Sequence, residues 1–336
     1  MLRTRPPGLV AAPGEQGGPF LLPPTLLRTV CQTPSMTSET ITADASGTWK
    51  LGDLPVHRLG FGAMRLTGSA AFHHGTPSDR DRSIAVLRKA VELGVNHIDT
   101  AAFYFSALRS ANELINTALS PYPDDLVIVT KVGPHRDYSG EWATSARPDQ
   151  LRGHVEENLR QLGRDHLDVV NLRRMRQDSI AEHFGALAEL REAGLIRHLG
   201  VSDVEVRHLD EALAIAPVVC VQNRWGLDSA DPATGELVRV CGERGIAFVP
   251  FFAVAGDAGA LGATGNHDEE VLAVARAHDA GAAQIRLAWT LHQGPHVLAI
   301  PGTGNPDHLA ENVAAGAIRL TEDELTRLDA LRTSAG

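Results

Sequence analysis

Three side chains in the stretches "NHIDTAAFYF" and "VIVTK" can do proton chemistry together. Asp99 closes a short apolar run, Tyr104 follows five residues later, and Lys131 ends the next β-branched run. A tyrosine hydroxyl ordinarily titrates near about 10, too high for easy proton donation at neutral pH. A neighbouring ammonium favours the phenolate and lowers that value, and a carboxylate keeps the ammonium charged and aimed. An Asp–Lys–Tyr chain is therefore a tuned general acid, suited to protonating a carbonyl oxygen while hydride arrives at its carbon. The same residues also have a structural reading, in which Asp99 caps the following helix and Tyr104 fills a loop.

The elements that must position them follow a beat from residue 50 onward, short β-branched runs alternating with longer amphipathic ones. "TWKLGDLPVHRLG" predicts a hairpin turning at Gly52 and Asp53, and "GFGAM" a first short strand. "DRSIAVLRKAVELG" predicts a helix stopped by Gly94, and "RPDQLRGHVEENLRQLG" a helix stopped by Gly163. "TEDELTRLDALR" opens with a capping box from Thr321 to Glu324. Eight strand–helix units with no break in composition predict an α/β fold, a (β/α)8 TIM barrel with an N-terminal hairpin and a C-terminal helix. A doubly wound sheet would carry G-x-G-x-x-G after its first strand, and "GFGAMRLTG" has only two of those glycines and no helix directly behind it. In such a barrel the chemistry sits at the carboxyl ends of the strands. The polar residues expected there are Asp99, Lys131, Asn171 with Arg173, Ser202 with Asp203, and Gln222 with Asn223. Each alone is more often a cap or a solvated rim residue; their convergence on one mouth is the signal.

With those residues in view, the chain resembles the aldo-keto reductase superfamily. The resemblance runs over roughly residues 50 to 332 and rests on "GFGAMRL", "HIDTAAFY", "VIVTK", "GVSD", "VQN" and "IPGTGNPDHLAENVAA". It implies an eightfold barrel that binds an extended nicotinamide dinucleotide and reduces aldehydes and ketones. It further implies Tyr104 as proton donor, Lys131 as its tuner and Asp99 as the orienter. Ser202, Asp203 and Gln222 match the residues that hold the nicotinamide carboxamide, Asp203 standing where the family usually has Asn. Phe251 matches an aromatic that stacks on the nicotinamide, and Gly62, Ala63, Met64 and Arg65 match the loop beneath its ribose. Glu311 and Asn312 match the adenine contacts.

Two departures stand out. The fourth catalytic position, a histidine in the family, is Arg173 in "LDVVNLRRM". A guanidinium stays charged and cannot act as an acid, though it can stabilise a developing oxyanion. Arg173 is equally compatible with reduction of an enone or imine, with lost turnover, or with a side chain swung out to solvent. At the adenosine end, Gly302 replaces the family's lysine and His308 its arginine, leaving Thr303 and backbone amides for phosphate. The family favours NADPH, and the lost cations leave NAD(H) open. "AGDAGALGATGNHDEE" is expected to be a mobile cofactor flap or a plain surface loop. Phe103, Phe105, Trp142 and Trp225 are expected on mouth loops, as walls of an apolar pocket or as loop packing. The leading expectation is a carbonyl-reducing oxidoreductase; the others are an enone or imine reductase and a cofactor-binding regulatory subunit.

Composition bounds the rest. With 31 basic and 41 acidic side chains the net charge is −10, which argues against a nucleic-acid or acidic-lipid partner. The apolar runs fall short of the roughly 20 residues of a membrane span. Three cysteines without a C-x-x-C pair point away from disulfides and metal and towards a cytoplasmic protein. Residues 1–47, rich in Pro and Gly at their start, are expected to be a disordered extension ahead of a barrel over 48–336. Met36 reads as a natural start, making 1–35 an upstream extension or, alternatively, a targeting peptide.

Overall fold

Parallel strands paired in chain order make up the sheet. In the computed structural model the described residues are 40–68, 76–136, 141–142, 145–227, 231–254 and 268–333. The strands are β3 (Phe61–Gly62), β4 (His97–Asp99), β5 (Val127–Val132), β6 (Leu167–Arg173), β7 (Ile196–Ser202), β8 (Val218–Gln222) and β9 (Ala247–Phe248), each hydrogen-bonded to the next. The predicted strand "VLAIPG" is an eighth stave held by isolated bridges. Val297 pairs with Phe248 and Ala299 with Leu59, so the sheet closes on itself. Leu298 N–H donates to Phe248 O at 2.9 Å and Gly60 N–H to Ala299 O at 2.8 Å.

This seam explains two of the glycines. A Cβ on Gly62 would lie 2.6 Å from Ile300 O, and one on Gly302 would lie 2.4 Å from Gly62 O. The backbones approach too closely there for any side chain.

Alternation along the strands divides the core in two. Val127, Val129, Val169, Cys220, Ala247, Val249 and Leu298 fill the barrel interior. The hairpin of β1 (Thr48–Leu51) and β2 (Leu54–His57) closes one end, burying Leu51 and Val56 in that same cluster. Its turn is pinned from β7: Arg197 Nη2 and His198 Nε2 reach the Asp53 carboxylate at 2.6 and 2.5 Å. Outward residues such as Ile98, Ile128, Val170 and Val201 pack beneath the helices.

Helix boundaries follow the predicted signals. α1 (Arg80–Glu92) is capped by Asp79, which accepts Arg82 N–H at 2.8 Å, and it buries Ile84, Val86, Leu87 and Ala90. α2 (Ala111–Leu119) and α3 (Leu151–Leu162) follow, and α3 stops at Gly163 with φ +64°. α4 (Ala181–Glu192), α5 (Val206–Leu213), α6 (Pro232–Glu243), α7 (Glu269–Ala277), α8 (Ala282–His292) and α9 (Pro306–Ala314) come next. The final helix, α10 (Glu322–Thr333), has the expected capping box: Glu324 N–H donates to Thr321 Oγ1, and Thr321 N–H to Glu324 Oε2.

The expected boundary at residue 47 is corrected for its last residues. Ala43–Ser46 form a 3-10 turn with both ends buried. Ala43 N–H donates to Leu93 O, and Ser46 Oγ accepts from Leu59 N–H at 3.0 Å. An apolar Ala43 and a satisfied serine outweigh the polar composition of the segment around them. Residues 1–39, where the extension and the start at Met36 were expected, lie outside the described residues, as does 255–267 of the glycine-rich flap.

Candidate active site

Asp99, Lys131, Asn171, Arg173, Ser202 and Gln222 occupy the carboxyl ends of β4 to β8. Strand register aligns Lys131 with Asn171, Arg173 with Ser202, and Ser202 with Gln222. Lys131 Nζ lies 2.6 Å from Asp99 Oδ2, with both side chains at most 5% exposed, and it also donates to Thr100 O at 3.2 Å. Across the mouth, Gln222 Nε2 donates to the other Asp99 oxygen at 2.5 Å. The carboxylate is therefore held from two sides.

Tyr104 is buried on the loop after β4, with Lys131 Nζ 5.0 Å from its ring centroid. The three residues expected to form a proton chain are thus brought together. One part of the expectation is corrected: the Tyr104 pKa is raised, because burial outweighs the lowering effect of Lys131, with Asp99 adding to the rise and Arg173 opposing it. For Lys131, burial works against the charge, but Asp99 and Tyr104 overcome it and its pKa is raised. The ammonium stays protonated, and Tyr104 stays a protonated donor.

A cation that the sequence reading passed over fixes this loop. Arg136, 5% exposed, donates from Nη1 to Phe103 O at 3.0 Å and Phe105 O at 2.9 Å, the two carbonyls flanking Tyr104. Its guanidinium stacks 4.1 Å from the Phe105 ring centroid. Phe103 packs edge-on against Tyr104 and Trp142. The sequence signal was an arginine soon after a strand ending in a site residue. Trp225 behaves differently: it is 3% exposed, stacks on Trp289 at 6.3 Å and is covered by Arg332, so it is packing rather than a pocket wall. On the β4–β5 side of the barrel, a polar network holds the strands to α2 and α3. Thr100 and Thr130 donate to Asn112 Oδ1 and Asn158 Oδ1, and Asn112 Nδ2 donates to Asn158.

Arg173 does not swing out. Its Nη1 stands 3.3 Å from Asp203 Oδ2, and its guanidinium lies 5.3 Å from the Phe251 ring centroid. Asp203 is held rigidly for this. It sits at φ +62°, its N–H donates to Gln222 O, and its carbonyl accepts from Arg174 Nε at 2.8 Å. The carboxylate expected to face a carboxamide therefore faces Arg173. Four atoms at the mouth are buried without a hydrogen-bond partner among the described residues: Asn171 Nδ2, Arg173 Nη1, Ser202 Oγ and Gln222 Oε1. Acceptor Gln222 Oε1 and donors Ser202 and Asn171 match the N–H and C=O groups of a primary carboxamide. Asn171 is a site residue to which the sequence reading gave no cofactor role.

The far end is poor in cations, as expected. Gly302 and His308 are exposed, and Thr303 Oγ1 accepts Asn305 N–H at 3.0 Å. Glu311 is exposed and Asn312 half-buried on α9. One guanidinium does stand beside this segment. Arg65, in the turn Ala63–Leu66 that also carries Met64, passes its Cγ within 3.7 Å of where a Gly302 Cβ would be. Its Nη1 is buried with no hydrogen-bond partner among the described residues, and burial lowers its pKa.

Comparison with known proteins agrees with this geometry. The Aldo/keto reductase family model matches residues 58–333. A pyridoxine 4-dehydrogenase of Escherichia coli is 42% identical, over 85% of this chain and 99% of its own length. A probable aldo-keto reductase of Glycine max is 31% identical, over 81% of this chain and 84% of its own. The crystal structure of a thermostable aldo-keto reductase bound to an inhibitor superposes with a TM-score of 0.71 at 30% identity, covering 84% of this chain and 99% of that one. A Klebsiella pneumoniae aldo/keto reductase crystallised with NADP and acetate gives 0.68 at 26% identity, covering 83% and 92%. With a closed parallel barrel, a buried Asp–Lys–Tyr chain at its carboxyl mouth and a family match over nearly the whole described chain, the protein belongs to the aldo/keto reductase family.

Proposed function

We propose that this oxidoreductase reduces an aldehyde or ketone to the alcohol with NADPH, Tyr104 giving its proton to the carbonyl oxygen. One observation carries the reading: Lys131 is buried with the Asp99 carboxylate at 2.6 Å on one side and the Tyr104 ring centroid at 5.0 Å on the other. When bound, the nicotinamide supplies the hydride. The chain does the rest. Tyr104 and the Lys131 charge receive the negative charge that develops on the oxygen. Asp99 and Gln222 keep Lys131 in place, and Arg136 holds the tyrosine loop.

Ser202, Gln222 and Asn171 are the groups we assign to the nicotinamide carboxamide, since their buried polar atoms lack other partners among the described residues. Phe251 offers its ring beside them. Arg65, a guanidinium beside the 302–304 segment, supports a phosphate-bearing cofactor where Gly302 and His308 weaken it. The substrate class includes the 4-position of a pyridoxine-type ring, following the name of the relative that is 42% identical. No helix among the described residues is long and apolar enough to cross a membrane. The free, buried Cys220 and Cys241 suit a reducing cytoplasm, where we place the reaction.

The test is loss of reduced-nicotinamide absorbance with NADPH and NADH, on a panel of aldehydes and ketones that includes pyridoxal. Tyr104→Phe is expected to lower turnover roughly a hundredfold to ten-thousandfold with cofactor binding retained. Unchanged turnover in that variant removes Tyr104 as the proton donor.

A further inference from the structure

The pair formed by Arg173 and Asp203 is not accounted for by proton transfer. Arg173 ends β6 on the same inward row as Asn171, in register with Ser202. Its side chain is 27% exposed, enough to meet a ligand and too little to be solvated freely. Among the described residues its guanidinium makes no hydrogen bond. Asp203 holds it at 3.3 Å through charge, and the Phe251 ring supports it at 5.3 Å. A guanidinium fixed in place with unused planar donors is a receptor for an oxyanion, and fixing it in advance lowers the entropy lost on binding. Arg173 stands at the same strand ends as Lys131, which is in register with Asn171 two residues before it, so the guanidinium opens onto the mouth that holds the proton donor.

We propose that Arg173, positioned by Asp203, selects carbonyl substrates that carry an anionic oxygen on the carbon next to the one bearing the carbonyl group, as in an ortho-hydroxy aromatic aldehyde ionised to its phenolate. The proposal rests on the reductase reading above and names the substrate class of that same site. The carbonyl oxygen takes the Tyr104 proton, hydride adds to the carbonyl carbon, and the neighbouring oxyanion keeps its bonds and charge while the Arg173 N–H groups hold it. The ring hydroxyl beside the 4-position of pyridoxine has this arrangement.

The experiment compares 2-hydroxybenzaldehyde with 2-methoxybenzaldehyde, using NADPH and the full chain. Above the pH at which the phenol ionises, the wild type is expected to favour the hydroxy compound by about tenfold or more in kcat/KM, the size of one hydrogen bond to a charged group. Arg173→Met is expected to bring the ratio near one and Arg173→Lys to keep part of it. Asp203→Asn is expected to lower it mainly through KM, with the ratio recovering in Asp203→Glu, which a merely structural role would not produce. In the wild type alone the ratio is expected to climb as the phenol ionises, a readout that needs no variant to fold. A ratio that is flat with pH, or equal in wild type and Arg173→Met, overturns the proposal while turnover itself leaves the reductase reading intact. No turnover of either aldehyde by the wild type removes that reading, and this proposal with it.

Discussion

Removing the Lys131 charge should damage stability and catalysis by separable amounts. Lys131 and Asp99 are 2.6 Å apart, with side chains 4% and 5% exposed. At an effective dielectric of about 20 their attraction is roughly 6 kcal/mol, largely offset by the several kcal/mol needed to strip water from each ion. The pair is therefore worth little net, but half of it is expensive. Lys131→Met leaves the Asp99 carboxylate buried with Gln222 as its remaining side-chain donor among the described residues, and is expected to destabilise by about 3–5 kcal/mol. Adding Asp99→Asn removes the stranded charge, so the double variant should recover a large part of that loss.

Urea denaturation of wild type, both single variants and the double variant gives the coupling directly. Turnover should not follow the same recovery, because the double variant still lacks the ammonium that opposes the effect of burial on Tyr104. Single-variant losses that add within about 0.5 kcal/mol would refute the intimate pair. Turnover restored along with stability would refute the role of Lys131 towards Tyr104.

Restoring the family's lysine with Gly302→Lys should destabilise by about 1–3 kcal/mol rather than improve NADPH binding, since its Cβ would stand 2.4 Å from Gly62 O; a tighter cofactor titration with an unchanged melting temperature would refute the seam. Burial holds the His97 imidazole down at about 4 from its ordinary 6.5. The unfolded chain therefore takes up a proton that the folded one refuses, and up to about 3 kcal/mol of stability, complete above the ordinary value, is lost as pH falls through that window; His97→Gln should flatten the urea midpoints there, and parallel curves would refute it. Asn158→Ala strands the Thr130 hydroxyl in the core and leaves Asn112 Nδ2 to Gln161 Oε1, and is expected to lower stability by about 1–3 kcal/mol, read by the same urea titration, against no more than about 0.5 kcal/mol if the network were dispensable.

The barrel was legible because alternation and helical period are local properties. Asp99, Lys131 and Ser202 announced themselves as polar residues ending apolar runs, and Gly94 and Gly163 as stops. What was not legible depends on distance in sequence. Arg136 lies beyond its strand, and only the folded loop brings the Phe103 and Phe105 carbonyls to it. Trp225 reads as a mouth aromatic until α8 and α10 supply Trp289 and Arg332. For Tyr104 the sequence shows a nearby lysine but not the depth of burial, so it gave the Lys131 effect correctly and the net direction wrongly. The eighth stave reads as an ordinary strand, yet at the crowded seam it forms bridges alone.

The two departures from the family pattern at residues 173 and 203 are best understood as one change. An arginine at the end of β6 adds a second cation to the mouth that already holds Lys131, and its charge needs a partner at a strand end that is only partly solvated. Asp203 supplies the compensating charge from the adjacent strand end, and its left-handed backbone, locked by Gln222 O and Arg174 Nε, aims the carboxylate at Arg173. The arginine can then remain at the rim with its charge balanced. The Asp203 carboxylate is taken up by Arg173, while Ser202, Gln222 and Asn171 keep buried polar atoms without partners among the described residues. A histidine at 173 would need no such partner, being neutral when it donates, which is why arginine and aspartate belong together at this mouth.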